Sequence, residues 1–527
     1  MPTQVPTSYD ATPYVDAVVA QTHPDRLATI ATLFGISTRG VETCRVLELG
    51  CASGGNLIPM ALGLPNATFV GIDLSARQIA QGQEKVQTLE LKNIELRHGN
   101  ITDIDASLGQ FDYIVCHGMY SWVPEPVREK ILAICRENLA PQGVAYVSYN
   151  TFPGWHMIGM VRDMMIFHVR QFEDPPTKVR QARALIAFLA KSVPADTPYG
   201  MMLGQLLDAT GPRSDADLFH DILEEINDPV YFHQFVESAA RHGLQYLAEA
   251  DFGNSIVANL PRPIADTLRE IAPDTLRMEQ YMDFVRNCSF RRSLLTHQGI
   301  SIRRNLEGNA LQGLSVASAA QYESRQPSLA QGVTEAFCLP NGSRVTPSTD
   351  ITKATLLVLT EQWPLAVPFD QLVAASRSKL PTIAGVVPDA TALAQQATVL
   401  CNELLHCYAA GVIELRTQPP RLAATPSVRP LASPLARLEA ERGEVVTNLR
   451  HESLRLDDFH RRLLRLLDGG RDRDAIFNAL VIQSAGGGLN TAQDGTLLTK
   501  DPQFEKALRV ALDESLPMLA RAGLLMN

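Results

Sequence analysis

Cysteine is scarce: there are eight in 527 residues, with Cys401 and Cys407 the nearest pair and no C-x-x-C anywhere. That excludes a disulfide framework and a cysteine zinc site, and reduced thiols in a cytoplasm are the ordinary reading. A basic excess is missing too. Lysine and arginine number 47 against 57 acidic residues, a net charge of −10, whereas a general grip on nucleic-acid phosphate needs the opposite sign. Between Leu380 and Leu415 no lysine or arginine occurs. No run is long and apolar enough to span a bilayer, and Met1 to Asp10 has no basic stretch followed by an apolar one, so no membrane insertion and a soluble, cytoplasmic chain are expected. His233 and His242 lack the carboxylate–histidine spacing of a metal site, and no metal is expected. What remains is an ordinary globular composition, 45% hydrophobic and 20% charged, on a chain long enough for three or four domains.

The informative stretch is Arg45 to Asn56, RVLELGCASGGN, followed by FVGIDLS from Phe69 to Ser75. Val46–Leu49 reads as a buried parallel strand, Gly50 as a tight turn, and Gly54 and Gly55 as the opening of a helix. Asp73 closes the next strand, where a doubly wound sheet places a carboxylate on ribose hydroxyls. A dinucleotide fingerprint needs glycine where Ala52 stands, so pyrophosphate would be crowded. The pattern Glu48-x-Gly50-x-Ala52-x-Gly54 instead resembles motif I of class I S-adenosylmethionine (SAM) methyltransferases, with alanine for the central glycine. That cofactor has no phosphate to seat.

The rest of the first 155 residues alternates helix and strand. Thr22 is a candidate N-cap for a helix carrying Leu27, Ile30 and Leu33. Ahead of it, Tyr9, Asp10, Tyr14 and His23 are polar groups placed to close over a cofactor, with a surface-packed N-terminal helix as the alternative. Ile94–Leu96 is a third strand leading to Asn100, Ile101 and Asp103, where class I methyltransferases hold adenine. The fourth strand, Phe111–Cys116, delivers His117, Gly118, Tyr120 and Trp122 to the carboxyl edge of the sheet, where chemistry occurs in this architecture. His117 reads as a general base, a contact for the methionine tail of SAM, or a structural strand-end residue. Tyr120 and Trp122 are candidates for an apolar channel or for core. The N/D-P-P-Y clamp for planar amides is absent. Leu139–Gly143 reads as a turn into a strand over Val144–Tyr149, whose end carries Tyr149 and Trp155.

These motifs, with S-Y-D-A-T-P-Y at Ser8, Q-T-H-P at Gln21, S-Y-N-T-F-P-G-W-H at Ser148, N-D-P-V-Y-F at Asn227 and F-R at Phe290, resemble the bacterial methyltransferases that carry a methyltransferase regulatory domain. Among them are protein lysine methyltransferases acting on rickettsial outer membrane protein B. The family pattern N-R-x-F-R has Cys288 in place of its first arginine. The resemblance implies an α/β fold: a Rossmann-like class I SAM methyltransferase domain (1–159), then a mostly helical regulatory domain (160–300) and a winged-helix-like C-terminal region. That region divides into a β-hairpin plus winged-helix-like domain (301–416), a linker (417–437) and a second winged-helix-like domain (438–527). Asn341-Gly342 suits the hairpin turn, and the endings at Gly411 and Gly523 suggest a degenerate repeat. Gly486–Gly488 reads as a mobile loop.

The resemblance implies SAM as cofactor, held by Glu48, Gly50, Ala52, Gly54, Asn56, Asp73, Leu74, Asn100, Ile101, His117, Gly118 and Tyr14. His117, Tyr120, Trp122 and Tyr149 are the catalytic candidates. A protein lysine ε-amine is the expected acceptor, a surface or outer-membrane protein before export being one such substrate. A small-molecule methyltransferase with protein-interaction domains and a SAM-binding regulatory protein are the alternatives. Oligomeric state is not set by the sequence. Because the cofactor motifs end before residue 160, the C-terminal half is expected to recognise substrate and to add nothing to SAM or DNA binding.

Overall fold

The computed structural model describes residues 17–306, 309–325, 327–330, 332–380, 389–483 and 502–527. Tyr9, Asp10, Tyr14 and the Gly486–Gly488 loop lie outside the described residues. The centre is a seven-stranded sheet ordered β3-β2-β1-β4-β5-β7-β6. Its strands are β1 (Arg45–Leu49), β2 (Thr68–Asp73), β3 (Ile94–His98), β4 (Phe111–Cys116), β5 (Leu139–Asn150), β6 (Leu244–Glu249) and β7 (Phe290–His297). The first five run parallel, as helix-spaced apolar strands buried on both faces require. The turn expected at Leu139–Gly143 is part of β5. Leu139 pairs with Phe111, and the register slips before Val144 pairs with Tyr113.

The middle region is mostly helical, but it also completes the sheet. β7 pairs antiparallel with the otherwise free edge of β5, and β6 covers β7. An uncovered β5 would expose a row of unpaired peptide groups. Helices Gly154–Val169, Pro175–Ser192 and Pro198–Thr210 form a separate buried cluster away from the sheet. Helices Asp350–Gln362, Phe369–Lys379 and Ala390–Ala409, where a first winged-helix-like unit is expected, lie with a small sheet of Ser315–Ala317, Val367–Pro368 and Glu414–Arg416. In the second, Asp458–Leu466, Arg473–Gln483 and Pro502–Arg521 accompany a hairpin of Val445–Thr447 with Ser453–Arg455. The helices Ala390–Ala409 and Pro502–Arg521 are each followed by a glycine in the left-handed region, Gly411 (φ 70°) and Gly523 (φ 72°), and then by a strand. A glycine there ends a helix without a Cβ clash.

Two cores flank the sheet. One contains Leu47, Leu49, Ile114, Tyr149, Phe232 and Phe235. The other joins Leu27, Ile30 and Leu33 of helix Pro24–Leu33 to Leu400, Leu404 and Leu415 without a break. Asp25, wholly buried, reinforces this junction by pairing with Arg416 at 3.3 Å and accepting from the backbone N–H groups of Thr417 and Gln418. The C-terminal half is therefore built into the catalytic domain.

Candidate active site

At the carboxyl ends of the parallel strands, Gly50 turns the chain with φ 72°. A Cβ at that position would lie 2.2 Å from Met119 Sδ, so any other residue would have to displace Met119 and adopt a left-handed backbone that glycine takes freely. Asp73 braces the loop: Oδ2 accepts from Ala52 N and Oδ1 from Ser75 N, both at 2.8 Å. Ser75 then caps helix Ala76–Thr88 through Gln78 N. Leu74 is half exposed beside Asp73. Asn100 caps the short turn Ile101–Asp103 by accepting from Thr102 N at 3.0 Å, and Ile101 is buried while Asp103 is exposed. Asp73, Leu74, Asn100 and Ile101 thus sit at the ends of neighbouring strands β2 and β3.

Glu48 and Asn56 are buried together, Asn56 Nδ2 donating to Glu48 Oε1 at 2.7 Å. Burial pushes the Glu48 carboxyl up to about 7, against the bond from Asn56, and the nearby Asp73 charge pushes the same way. Glu48 Oε2 is buried without a hydrogen-bond partner. An orphaned carboxylate oxygen beside a glycine loop fits a cationic or N–H-bearing ligand group, because an unmet buried acceptor is costly. Gly118 adds room: it is exposed with φ 67°, and no atom lies within 4 Å of where its Cβ would be. Its N–H donates to Ser148 Oγ at 2.8 Å.

His117 Nδ1 lies 2.9 Å from the Tyr146 hydroxyl and 3.2 Å from Ser148 Oγ. Burial first, and then the charge of Arg292, lowers its pKa to about 4, so the ring is neutral near pH 7. Side chains alternate along β5, and the residues that reach His117 are even-numbered. Tyr149 therefore points the other way. It is 1% exposed, its hydroxyl is 3.0 Å from Ser293 Oγ, and its ring stacks on Phe235 at 4.1 Å. Tyr120 shares that core, edge-on to Phe235 at 5.3 Å, and burial raises its pKa to about 12. The expectation that Tyr120 and Tyr149 are catalytic is corrected: both are core residues. Trp122, half-buried, meets Trp155 at 6.1 Å. Beyond them, Phe152 contacts His156 and Tyr231.

Two further expectations change. The N-cap of helix Pro24–Leu33 is His23, whose Nδ1 accepts from Asp25 N at 3.2 Å, while Thr22 Oγ1 accepts from Asn56 Nδ2 at 2.9 Å. The C-terminal half also reaches the cofactor motif, since His451 Nε2 lies 2.9 Å from Asn56 Oδ1. No local pattern could have revealed that contact, 395 residues away in sequence.

Five parallel strands with a glycine loop after β1 and a carboxylate ending β2 make a nucleoside-binding site, and with Ala52 where a dinucleotide needs glycine the arrangement is that of a class I SAM-dependent methyltransferase. Comparison agrees segment by segment: residues 46–143 match a methyltransferase domain, 214–297 a predicted methyltransferase regulatory domain, and 429–524 the PKMT C-terminal winged helix domain. The Rickettsia prowazekii protein RP789 is 36% identical over 508 residues, covering 95% of this chain and 90% of that one. PKMT2 from Rickettsia typhi, solved in complex with AdoHcy, superposes with a TM-score of 0.86 at 31% identity, covering 98% of this chain and all of the other. Trans-aconitate 2-methyltransferase from Deinococcus radiodurans is 32% identical over 103 residues, 20% of this chain and 36% of that enzyme. The chain belongs to the family of PKMT-type methyltransferases that join a class I catalytic domain to a regulatory domain and a C-terminal winged helix. Its cofactor is SAM. Among the described residues, no helix is long and apolar enough to cross a membrane.

Proposed function

We propose that the protein transfers a methyl group from SAM to the ε-amine of a lysine in a protein substrate, in the cytoplasm. The observation that carries this reading is the likeness to PKMT2 along 98% of the chain: it takes in the regulatory and winged-helix regions, which a catalyst of small metabolites does not require. We assign Asp73 to the ribose hydroxyls, Asn100 and Ile101 with Leu74 to the adenine side, and Glu48, Gly50, Ala52, Gly54, Asn56 and Gly118 to the loop around the methionine moiety. His117 belongs to the wall of that site.

SAM supplies a methyl group already activated on a sulfonium, so the chain has to position the acceptor and remove its proton. A lysine with a pKa of about 10.4 arrives protonated. His117, lowered to about 4, accepts a proton poorly and is not assigned as base. We assign the aromatic group of Trp122, Trp155, Phe152 and Tyr231 to the acceptor side, where it would strip water from the ammonium, which favours its neutral form, and hold the amine within roughly 3–3.5 Å of the methyl carbon. Incubation with radiolabelled SAM and a lysate of the native cells tests the reading. Label in a protein band, recovered after acid hydrolysis as methyllysine, is expected. Label confined to small molecules or to carboxyl esters overturns it and favours the metabolite reading suggested by the Deinococcus relative.

A further inference from the structure

The second winged-helix unit turns its hairpin into the catalytic domain. Between Thr447 and Ser453 the chain reverses around Asn448, whose Oδ1 accepts from Arg450 N and Glu452 N, both at 2.9 Å, and whose Nδ2 donates to Ala522 O. This closure holds His451 at φ 64°, a left-handed conformation that is strained for a non-glycine residue. The two side chains at the tip are buried in another domain. Arg450 lies over the Trp363 ring at 4.1 Å and pairs with Glu414. His451, 3% exposed, reaches Asn56.

Asn56 has a fixed orientation. Val19 N–H can only donate, and it lies 3.0 Å from Oδ1, so the Asn56 oxygen faces Val19 and His451 while its amide nitrogen faces Glu48 and Thr22. Because Asn56 Oδ1 accepts, His451 carries its proton on Nε2. Its Nδ1 is buried with no partner, and burial with the charges of Arg26 and Arg416 holds the ring neutral, its pKa near 3. A strained backbone, a single neutral tautomer and one hydrogen bond all converge on the asparagine that orients Glu48.

We propose that His451 is a positioning residue of the cofactor site: through Asn56 it fixes the carboxylate of Glu48, so that the C-terminal winged helix completes the SAM pocket. This rests on the assignment of the glycine loop and Asp73 to the cofactor. Without the His451 donor, Asn56 Oδ1 keeps only Val19 N–H and Thr22 Oγ1, so the amide is held less tightly and the bond that orients Glu48 weakens with it.

The test is calorimetric binding of AdoHcy to the full chain, alongside the unfolding midpoint. His451→Phe is expected to weaken binding about three- to tenfold, the range of one net hydrogen bond. His451→Gln, whose side-chain N–H2 has a similar reach, is expected to stay within about twofold of the parent. Asp73→Ala is measured in parallel. If Asp73→Ala leaves affinity unchanged, the cofactor-site assignment itself fails. Weakening by Asp73→Ala but not by His451→Phe overturns the role of His451 alone. Equal losses for His451→Phe and His451→Gln, or a lower midpoint with unchanged affinity, also overturn it, because they mark a packing role. Should His451→Phe not fold, His451→Ala carries the same expectation and the same refutation.

Discussion

Replacing Arg291 with methionine probes the joint between sheet and regulatory domain. The guanidinium is buried, grips both oxygens of Asp283 at 2.8 and 2.9 Å, reaches Glu249 at 2.8 Å and Glu279 at 3.1 Å, and lies 3.9 Å above the Phe232 ring. All three carboxylates are themselves buried. Methionine keeps much of the volume but leaves a cluster of uncompensated acids, and breaking a buried pair in this way costs about 3–5 kcal/mol. At roughly 2–4 °C per kcal/mol for a unit of 150–250 residues, the unfolding midpoint should fall by about 6–20 °C. The deficit should depend on pH. Burial raises the folded pKa of Glu279 to about 7 from an ordinary 4.5, even with Arg291 present. A raised carboxyl pKa means stability that is fully present below about 4.5 and is lost as pH rises towards 7. Without Arg291 the acids hold their protons more tightly still, so the variant should be closer to the parent at pH 5 than at pH 8. Scanning calorimetry at both values reads this out. A fall of less than about 2 °C, or an equal deficit at the two pH values, would refute the account.

Glu279→Gln should move the opposite way, gaining on the parent as pH rises from 5 to 8, because an amide cannot ionise; a constant difference in midpoint would argue against the raised pKa of Glu279. Asp73→Ala removes charge-assisted bonds worth about 1.5–3 kcal/mol each, two of which brace the loop at Ala52 and Ser75, so AdoHcy affinity should drop roughly ten- to a hundredfold, and calorimetry showing no change would dismiss the assignment. For methyl transfer to lysine, the rate should climb from neutral to alkaline pH as the free amine grows; a flat profile, with methyl transfer itself limiting, would disfavour an amine acceptor. A chain cut at Ile300 should lose both solubility and AdoHcy binding, since it bares the surface that covers Leu27, Ile30 and Leu33; a soluble fragment with native affinity would show that the shared core is dispensable.

Local pattern carried the reading as far as local physics reaches. The strand–glycine–helix unit at Arg45–Gly63 and the carboxylate at Asp73 were legible because turn chemistry and apolar runs fix them within a few residues. β6 and β7 were not legible as part of the catalytic sheet. A short apolar strand announces that it needs a partner but not which edge it will take, and the free edge of β5 is visible only in three dimensions. Tyr149 was misplaced because aromatic richness near an active edge says nothing about which face of the strand a ring occupies. Cys288, where the family pattern has an arginine, proved less consequential than the retained Arg291, since Arg291 is the residue that ties β7 to β6 and to helix Thr275–Arg286.

The contact between Asn56 and His451 also orders events during synthesis. At about 5–20 residues per second, the 395 residues between them take roughly 20–80 s to emerge. For all that time the cofactor loop exists without its last support, and the continuous core on helix Pro24–Leu33 waits for Leu400, Leu404 and Leu415. A ribosome that stalls midway releases a chain with every motif of a methyltransferase and an unfinished pocket. On the role proposed for His451, a product that ends before the hairpin at Thr447–Ser453 lacks the contact that completes the cofactor site.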